Sequence, residues 1–380
     1  MLSSSNQLYS GTGRVLFETL GRLLDRLDLS VSIDDLVDQN VAIARAFCDR
    51  HDVPIVVGPS TVVPGAPDSA SALLPELLAQ PWDVVLSVSW ANAATNALVH
   101  AHLPDHVSLV YLPLHQPTWT VPLDEQGVDI VERTHRAMLR RADVVICISP
   151  WERRAVTDLV LPAIPRTAVV PPGCDFVKFR PGSDHRPVLL FVGDHRESRK
   201  RFDRVVRVLE RVRASGNDAR LLVVGNESAR STDRLTPEVA AHVDSVGFVE
   251  EAQLIAAYQS SAVLLLLSEY EAFGLPVVEA LASGTPAIVT DLPAARSLFD
   301  GRPGVFFVDG DDADGTAAIV SAILSDPDAT REAIGDARGE LQEAFSWDRS
   351  AQRTLDQILA AWARRARASG GLASGTRRAG

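Results

Sequence analysis

Lysine is nearly absent from this 380-residue chain, because Lys178 and Lys200 are the only two among its 37 basic residues. Arginine carries almost all of the positive charge. Because lysine is so rare here, a lysine in a loop that shows other signs of function is hard to attribute to chance, and Lys200 lies in such a loop.

Cysteine is also scarce, with three residues far apart in the sequence: Cys48, Cys147 and Cys174. This number and spacing exclude a disulfide framework and a cysteine-based metal site. They are typical of a protein kept in a reducing compartment, so we expect a cytoplasmic location.

Long hydrophobic runs are missing, since no stretch reaches the roughly 18 apolar residues of a transmembrane helix, and we find no signal peptide. A peripheral membrane contact stays open. The net charge of −12 argues against a nucleic-acid-binding protein, which would be basic. The length and the hydrophobic content of 46% predict two domains with packed cores.

The most informative stretch is residues 262–290, where two apolar runs flank a loop and a short helix. The runs, 262–267 and 286–290, are typical of parallel strands that are buried on both faces. Pro276 suits the first turn of a helix, and Gly284 suits its left-handed end. The pattern predicts a βαβ unit, in which binding sites lie at the carboxyl ends of the strands.

Glu279 lies inside this predicted helix among apolar neighbours, so we expect its carboxylate to be buried. A buried carboxylate requires partners. The hydroxyl groups of a ribose could supply them, and so could an arginine that only stabilises the domain. The backbone amides of Gly274 and Leu275, at the start of the helix, could face a phosphate or sugar oxygen.

Residues 271–286 read Glu-x-Phe-Gly-Leu-Pro-x-x-Glu-Ala-x-Ala-x-Gly-x-Pro. This pattern resembles the signature of the retaining glycosyltransferases of family GT4, which use nucleotide-sugar donors. The resemblance implies the GT-B architecture: α/β, with two Rossmann-like domains facing each other across a cleft. It assigns the ribose to Glu279 and the donor sugar to Glu271, and it places Phe273, Gly274 and Leu275 in the donor site.

At the amino end, Gly11 and Gly13 predict a glycine loop that leads into a helix. The resemblance places both glycines beside the donor diphosphate, whereas the residues alone also allow an ordinary turn. A dinucleotide fingerprint would need a third glycine where Leu16 stands, so NAD is not expected. Residues 1–5 resemble the end of a first strand, which we expect to be truncated.

His115 follows the third of four predicted strands in the amino-terminal half, at 54–57, 83–88, 107–112 and 142–149; a helix is predicted from Pro150. A single histidine after a strand is structural, solvated or part of a cleft. The resemblance favours a catalytic His115, near the donor sugar and acceptor. Trp90 and Trp119 fit either an acceptor pocket or the core.

A charged loop at 194–201 follows a predicted strand at 188–193 and precedes a helix that begins near Phe202. A departing nucleoside diphosphate needs fixed cations. The related family has an arginine directly after the glycine at 193 and a lysine several residues later. Lys200 fits the lysine, but Asp194 stands in place of the arginine. Arg196 or Arg199 could substitute; the alternative is a solvated charged loop.

The remaining signals concern the nucleotide base, an acidic run and the carboxyl end. Strands are predicted at 221–225 and 246–249, and the resemblance implies that the second, with Phe248 and Val249, contacts the base through backbone groups. The acidic residues of 309–314 favour helix capping over metal binding. The sequence also predicts a final amphipathic helix, and the resemblance implies that it crosses back to the first domain.

The sequence thus predicts an acceptor-binding domain at 1–170, a linker at 171–185, a nucleotide-sugar-binding domain at 186–345, a crossing helix at 346–363 and a disordered tail at 364–380. The expected activity is metal-independent, retaining transfer of a sugar to a glycan, glycolipid or small-molecule acceptor, without a cofactor. Glu271, His115, Lys200 and Arg196 are the expected catalytic residues. The alternatives are a nucleotide-sugar hydrolase or epimerase, and a non-catalytic scaffold, which the change at Asp194 favours.

Overall fold

The computed structural model describes residues 11–29, 31–34, 38–58, 79, 81–88, 100–114, 125–159, 166–183, 186–225 and 235–368. They divide into two compact units. One contains Leu16–Ile148, Glu152–Val170 and the chain from Ala351; the other contains Pro171–Ser350, Ser149–Trp151 and the residues as far as Val15. We call them the four-stranded unit and the six-stranded unit after their main sheets.

The four-stranded unit is built on parallel strands. Its main sheet has the order β3-β4-β5-β6, and a separate parallel pair is formed by β1 and β2. In chain order its elements are α1 (Gly11–Gly21), β1 (Val31–Asp34), α2 (Asp38–His51), β2 (Ile55–Gly58), β3 (Val84–Val88), β4 (Ser108–Leu112), α3 (Glu125–Arg141), β5 (Val144–Cys147), α4 (Pro150–Asp158) and β6 (Thr167–Val169). The first residues of α1, through Val15, and of α4, through Trp151, belong to the six-stranded unit.

The six-stranded unit has the parallel order β12-β11-β10-β7-β8-β9. Its elements are β7 (Arg186–Val192), α5 (Phe202–Ala214), β8 (Arg220–Val224), α6 (Pro237–Ala240), β9 (Val243–Gly247), α7 (Glu251–Ser260), β10 (Ser261–Leu266), α8 (Leu275–Ala282), β11 (Ala287–Thr290), α9 (Pro293–Phe299), β12 (Val305–Val308), α10 (Ala313–Ser325), α11 (Pro327–Asp336) and α12 (Arg338–Phe345).

The central strands of this sheet form because their sequences are apolar on both faces. All six residues of β10 are buried, as expected for a central parallel strand. On one face, α5 and α10 pack against the sheet through Val205, Leu209 and Val320. The chain runs from β7 outward to β9 and then returns to β10 on the other side of β7. The strand order therefore reverses between β7 and β10, where α/β sheets bind ligands.

The last helix, α13 (Trp347–Ala368), belongs to the four-stranded unit from Ala351 onward. Leu23 packs against Ala351 and Leu355, and Arg365 forms an ion pair with Asp143 at 3.1 Å. The amphipathic pattern of the sequence therefore gives a helix as predicted.

Three sequence predictions are corrected here. First, α1 begins at Gly11, so Gly11 and Gly13 lie in its first turn and not in a preceding loop; Val15 and Phe17, which follow them directly in the helix, are both buried. Second, the strand expected at 246–249 is β9, which ends at Gly247, where a φ of 67° breaks the extended conformation. Third, residues 364–368 continue α13 rather than starting a disordered tail.

The other predicted strands, the helix from Pro150 and the helix from Phe202 are confirmed to within a few residues. The predictions for residues 1–5 and 369–380 lie outside the described residues. The domain boundaries drawn from the sequence stay a prediction. None of the described helices combines the length and the hydropathy needed to cross a membrane.

Candidate functional site

Two loops meet where the strand order of the six-stranded sheet reverses. One follows β7 and contains a 3-10 turn over Ser198–Lys200; the other follows β10 and leads into α8. The backbone N–H of Glu269 donates to the carbonyl oxygen of Arg199 at 2.7 Å. Because β7 and β10 are parallel neighbours, both loops emerge at the same edge of the sheet, and this hydrogen bond joins them.

Lys200 and Glu271 form an ion pair between these loops. Lys200 Nζ lies 2.5 Å from Glu271 Oε1, which also accepts a hydrogen bond from Ser268 Oγ at 2.8 Å. The two charged side chains are only 11% and 12% exposed. Burial by itself would raise the pKa of Glu271, but the charges of Lys200 and Arg199 and the hydrogen bonds from Lys200 and Ser268 lower it overall.

Helix α8 starts and ends as the sequence predicts. Gly274 adopts a left-handed φ of 90° immediately before Leu275, and Pro276 lies in the first turn, where its missing N–H leaves no hydrogen bond unmade. Gly284 has a φ of 77°, and the N–H groups of Gly284 and Thr285 donate to carbonyls of the last turn, which is a Schellman motif. The amides of Gly274 and Leu275 therefore lie at the positive end of a helix.

Glu279 is 2% exposed and has two side-chain partners. Arg14 donates to Oε1, and the hydroxyl group of Tyr258 donates to Oε2 at 2.8 Å. Burial and the adjacent Glu279 carboxylate raise the pKa of Tyr258 well above its usual value. The alternative that an arginine pairs with Glu279 is thus realised in the structure, whereas binding of a ribose stays a prediction.

Sequence reasoning missed Arg14 and Tyr258 as partners of Glu279. A cation in the first turn of a helix 265 residues away carried no local signal. The available signal was indirect: a carboxylate in an apolar helix requires a donor from elsewhere in the fold.

Arg196 and Arg199, the two candidates for the missing phosphate arginine, differ in their surroundings. Arg196 is 44% exposed and is held by Asp194, through Nε at 3.0 Å and Nη2 at 2.7 Å. Arg199 is 24% exposed, pairs with Glu197 and contributes to the lowered pKa of Glu271. The structure therefore brings Arg199 into the electrostatic environment of Glu271 and ties Arg196 to the residue that replaced the family arginine.

Arg201 and Arg204 donate hydrogen bonds to the chain just after β10, and sequence reasoning missed both. Arg204 is buried, donates to the carbonyl of Leu267 at 3.2 Å and binds Asp311 through Nε and Nη2 at 3.0 and 2.8 Å. Arg201, which has a φ of 46°, donates to Glu269 at 3.1 Å. These contacts join the residues that follow Lys200 in the chain to the residues that precede Glu271.

Phe273, Phe248 and Val249, expected in the donor site, lie in different surroundings. The ring of Phe273 is 5% exposed and packs against Phe299 and Phe345, so its side chain belongs to the core. Phe248 is 45% exposed just beyond the end of β9, and Val249 follows it. Their predicted contact with a base stays a prediction.

The acidic run at 309–314 acts within the protein. Asp312 accepts a hydrogen bond from the N–H of Gly315 and caps α10, as predicted, while Asp311 binds Arg204. Among the described residues, no group of histidine, cysteine, aspartate and glutamate side chains is arranged to hold a metal ion. His115, Trp90 and Trp119 lie outside the part of the chain that the structure describes.

Two family models match almost the whole chain. The model described as glycosyl transferases group 1 matches residues 175–340, and the glycosyl transferase 4-like domain matches residues 14–173. The chain is 28% identical over 235 residues to a glycogen synthase of Mycobacterium tuberculosis, covering 59% of this chain and 56% of that protein. It is 29% identical over 252 residues to a D-inositol 3-phosphate glycosyltransferase of Nocardia farcinica, covering 60% and 54%. The chain thus spans little more than half the length of these curated relatives.

Solved structures share the fold at low sequence identity. Sucrose-phosphate synthase from Thermosynechococcus elongatus has a TM-score of 0.66 at 19% identity, covering 90% of this chain and 98% of that one. HepE from Anabaena in complex with UDP-glucose has a TM-score of 0.71 at 16% identity, covering 92% and 96%. The parallel sheets, the matched family models and these neighbours lead to one conclusion: the chain belongs to the GT4-type glycosyltransferases and has their two-domain, Rossmann-like GT-B fold.

Proposed function

We propose that this protein transfers a sugar from a nucleotide-sugar donor to an acceptor with retention of the anomeric configuration and without a metal ion. The observation that carries the proposal is the Lys200–Glu271 pair beside the start of α8, with Glu279 inside the same helix. A cation, a helix N-terminus and two carboxylates at one sheet edge can recognise phosphate and hydroxyl groups together.

In this proposal, Lys200 and the amides of Gly274 and Leu275 stabilise the charge that develops on the leaving diphosphate. Fixed donors at the site of developing charge lower the barrier without a reorganisation cost. Arg199 is our candidate for the second cation, because it shares the environment of Glu271 and Arg196 does not. Arginine and lysine thus supply the counter-charge that a metal ion would otherwise give.

The two carboxylates bind the rest of the donor. Glu279 accepts hydrogen bonds from the ribose hydroxyls, and Glu271 contacts the transferred sugar. We infer no protein nucleophile at this site; the leaving phosphate acts as the base toward the acceptor. His115 keeps its proposed role near the donor sugar and acceptor.

The relatives guide the choice of substrates. One fold neighbour was solved with UDP-glucose, and relatives include enzymes named for inositol phosphate and phosphatidyl-inositol. We therefore propose to test uridine nucleotides first as donors, and polyol phosphates, glycolipids and glycans as acceptors. The three cysteines are free and buried, which supports a reducing, cytoplasmic location.

The first test is nucleotide binding measured by thermal shift. UDP, GDP and ADP are compared on the native protein, Lys200→Met, Glu279→Gln and the control Lys178→Met. A ligand that binds only the folded state raises the midpoint. We expect one nucleotide to raise the midpoint of the native protein and of Lys178→Met, and to raise the midpoints of the other two variants much less at the same concentration.

The second test is turnover with the matching nucleotide sugar across the acceptor panel. Transfer that persists in the presence of EDTA supports metal independence. Comparison of the anomeric configuration of donor and product by NMR tests retention. Donor consumption without an acceptor would instead indicate a hydrolase or epimerase. Nucleotide binding without turnover on any acceptor would favour the scaffold, which the capture of Arg196 by Asp194 supports.

A further inference from the structure

Arg14 holds the carboxylate that we propose for the ribose. Its guanidinium group donates a hydrogen bond to Oε1 of Glu279, and the hydroxyl group of Tyr258 donates to Oε2 at 2.8 Å. All three residues belong to the six-stranded unit. Both oxygens of Glu279 are thus engaged, and only 2% of the residue is exposed. A ribose hydroxyl can reach this carboxylate only if one of the two partners moves aside.

Of the two partners of Glu279, Arg14 is the one that can move. Tyr258 is fully buried, and its ring packs against the ring of Phe179 at a centroid distance of 6.1 Å. The side chain of Arg14 is 18% exposed and extends from the first turn of α1 on several rotatable bonds. A rotation of this side chain uncovers Oε1 of Glu279 and leaves the hydrogen bond from Tyr258 to Oε2 intact.

Arg14 needs another anion once it leaves Glu279, because a mostly buried charge is costly to leave without an opposite charge. The hydroxyl groups of a ribose are neutral and do not supply one. The phosphates of a nucleotide are attached to the same ribose, within reach of a long side chain beside it, and a guanidinium group binds phosphate through paired hydrogen bonds. A nucleotide therefore satisfies both residues, whereas a nucleoside satisfies only Glu279.

The balance of charge at the site favours the same exchange. Arg14 neutralises Glu279 as Lys200 neutralises Glu271, so each carboxylate that we propose for the donor has its own cation. A diphosphate brings several further negative charges. Hydroxyl groups of the donor that donate to the two carboxylates release both cations toward the phosphates, and this keeps opposite charges together.

The geometry points to Arg14 as a diphosphate-binding residue that exchanges partners. It leaves Glu279 when the ribose binds there and takes up a phosphate of the same nucleotide. Arg14 thereby makes the site selective for nucleotides over nucleosides. This inference rests on the proposed function, because it requires a ribose at Glu279. The alternative is an Arg14 that only holds Glu279 in position.

The test is a double-mutant cycle of nucleotide affinity. Whichever of UDP, GDP and ADP raises the native thermal midpoint most is titrated by calorimetry into the native protein, Arg14→Gln, Glu279→Gln and the double variant. Arg14→Gln should lower the affinity roughly 10-fold, because a charged hydrogen bond to the phosphate is lost. In the Glu279→Gln background the same substitution should lower the affinity at least as much, since a contact with phosphate does not require Glu279. An arginine that only positions Glu279 would have no effect there.

Two further variants separate the charge of Arg14 from its effect on folding. Arg14→Lys keeps the cation and should retain most of the affinity. Arg22→Gln removes an arginine of the same helix that pairs with Glu18 and should bind the nucleotide as the native protein does. Thermal midpoints show that each variant is folded at the temperature of the titration. The matching nucleoside, titrated by ligand-observed NMR, should bind Arg14→Gln more tightly than the native protein.

The exchange is overturned if Arg14→Gln binds the diphosphate as the native protein does, if its effect disappears in the Glu279→Gln background, or if the nucleoside gains no affinity. In each of these cases the native protein still binds the nucleotide, and the proposed function stands. If neither the native protein nor Arg22→Gln binds any of the three diphosphates, the proposed function fails and the exchange fails with it.

Discussion

Lys200 Nζ lies 2.5 Å from Glu271 Oε1, although the two residues are 71 positions apart in the chain. Each belongs to a loop at the carboxyl end of a parallel strand, and the two strands, β7 and β10, are neighbours at the reversal of strand order. Both side chains are mostly buried, so each charge stabilises the other. A bound phosphate would give Lys200 a second anionic partner at the same place.

The two lysines of the sequence, Lys200 and Lys178, allow a test variant and a matched control for nucleotide binding. We expect Lys200→Met to weaken nucleotide binding by about 2 kcal/mol, or roughly 30-fold, because a charged hydrogen-bond donor is lost from a partly buried site. Lys178, which is 51% exposed and pairs with Glu251, is the control. Isothermal titration of both variants with the stabilising nucleotide measures the difference, and equal affinities would remove Lys200 from the site.

The contact between Arg14 and Glu279 should be visible as an energetic coupling. Removing one partner leaves the other, mostly buried residue without its opposite charge, so we expect Arg14→Gln and Glu279→Gln each to lower the free energy of unfolding by on the order of 2 kcal/mol. The double variant should lose much less than the sum of the two. Urea denaturation of the native protein, the two single variants and the double variant completes a double-mutant cycle. Strictly additive losses would show that the two side chains do not stabilise each other.

His100 predicts a pH dependence of stability. Burial, and then the charge of Arg141, lower the pKa of His100 from 6.5 to about 4. The unfolded chain therefore binds a proton more readily than the folded one, and stability present above pH 6.5 is lost as the pH falls toward 4. The shift corresponds to up to about 3 kcal/mol.

The measurement for His100 is the urea midpoint from about pH 7 to about pH 4.5. His100→Gln should lose less stability over this range than the native protein, even if it is less stable at neutral pH because the hydrogen bond to Ser87 changes. His102→Gln, at an exposed position two residues away, should keep the native pH dependence. Parallel curves for all three proteins would contradict the assignment.

Two glycines of the six-stranded unit should respond to alanine in opposite directions. Gly284 has a φ of 77°, and an added Cβ would lie 3.1 Å from Cβ of Pro181, so Gly284→Ala should cost about 1–2 kcal/mol. An added Cβ at Gly335, inside α11, meets no atom within 4 Å, so Gly335→Ala should stabilise by up to about 1 kcal/mol. Thermal midpoints of the two variants decide the point, and a neutral Gly284→Ala would show that the helix end tolerates a side chain.

The motif around α8 could be predicted from the sequence because its signals are local. Pro276 and Gly284 mark the ends of the helix through their own backbone preferences, and Asp312 caps α10 for the same reason. The apolar runs that became β7 and β10 were equally clear. The end of β9 was missed because the sequence did not reveal that Gly247 adopts a φ of 67°, which ends the pairing of β9 with β8.

The sequence by itself determined the family and the class of fold, the βαβ unit with its two carboxylates, and a lysine that stands out in an arginine-rich chain. Only the tertiary structure decided which cation each carboxylate meets: Lys200 for Glu271 and Arg14 for Glu279. It also decided that Arg196 is held by Asp194 while Arg199 shares the environment of Glu271. The physical reason is that backbone preferences act over a few residues, whereas buried charges are paired by whichever strands and helices the fold brings together.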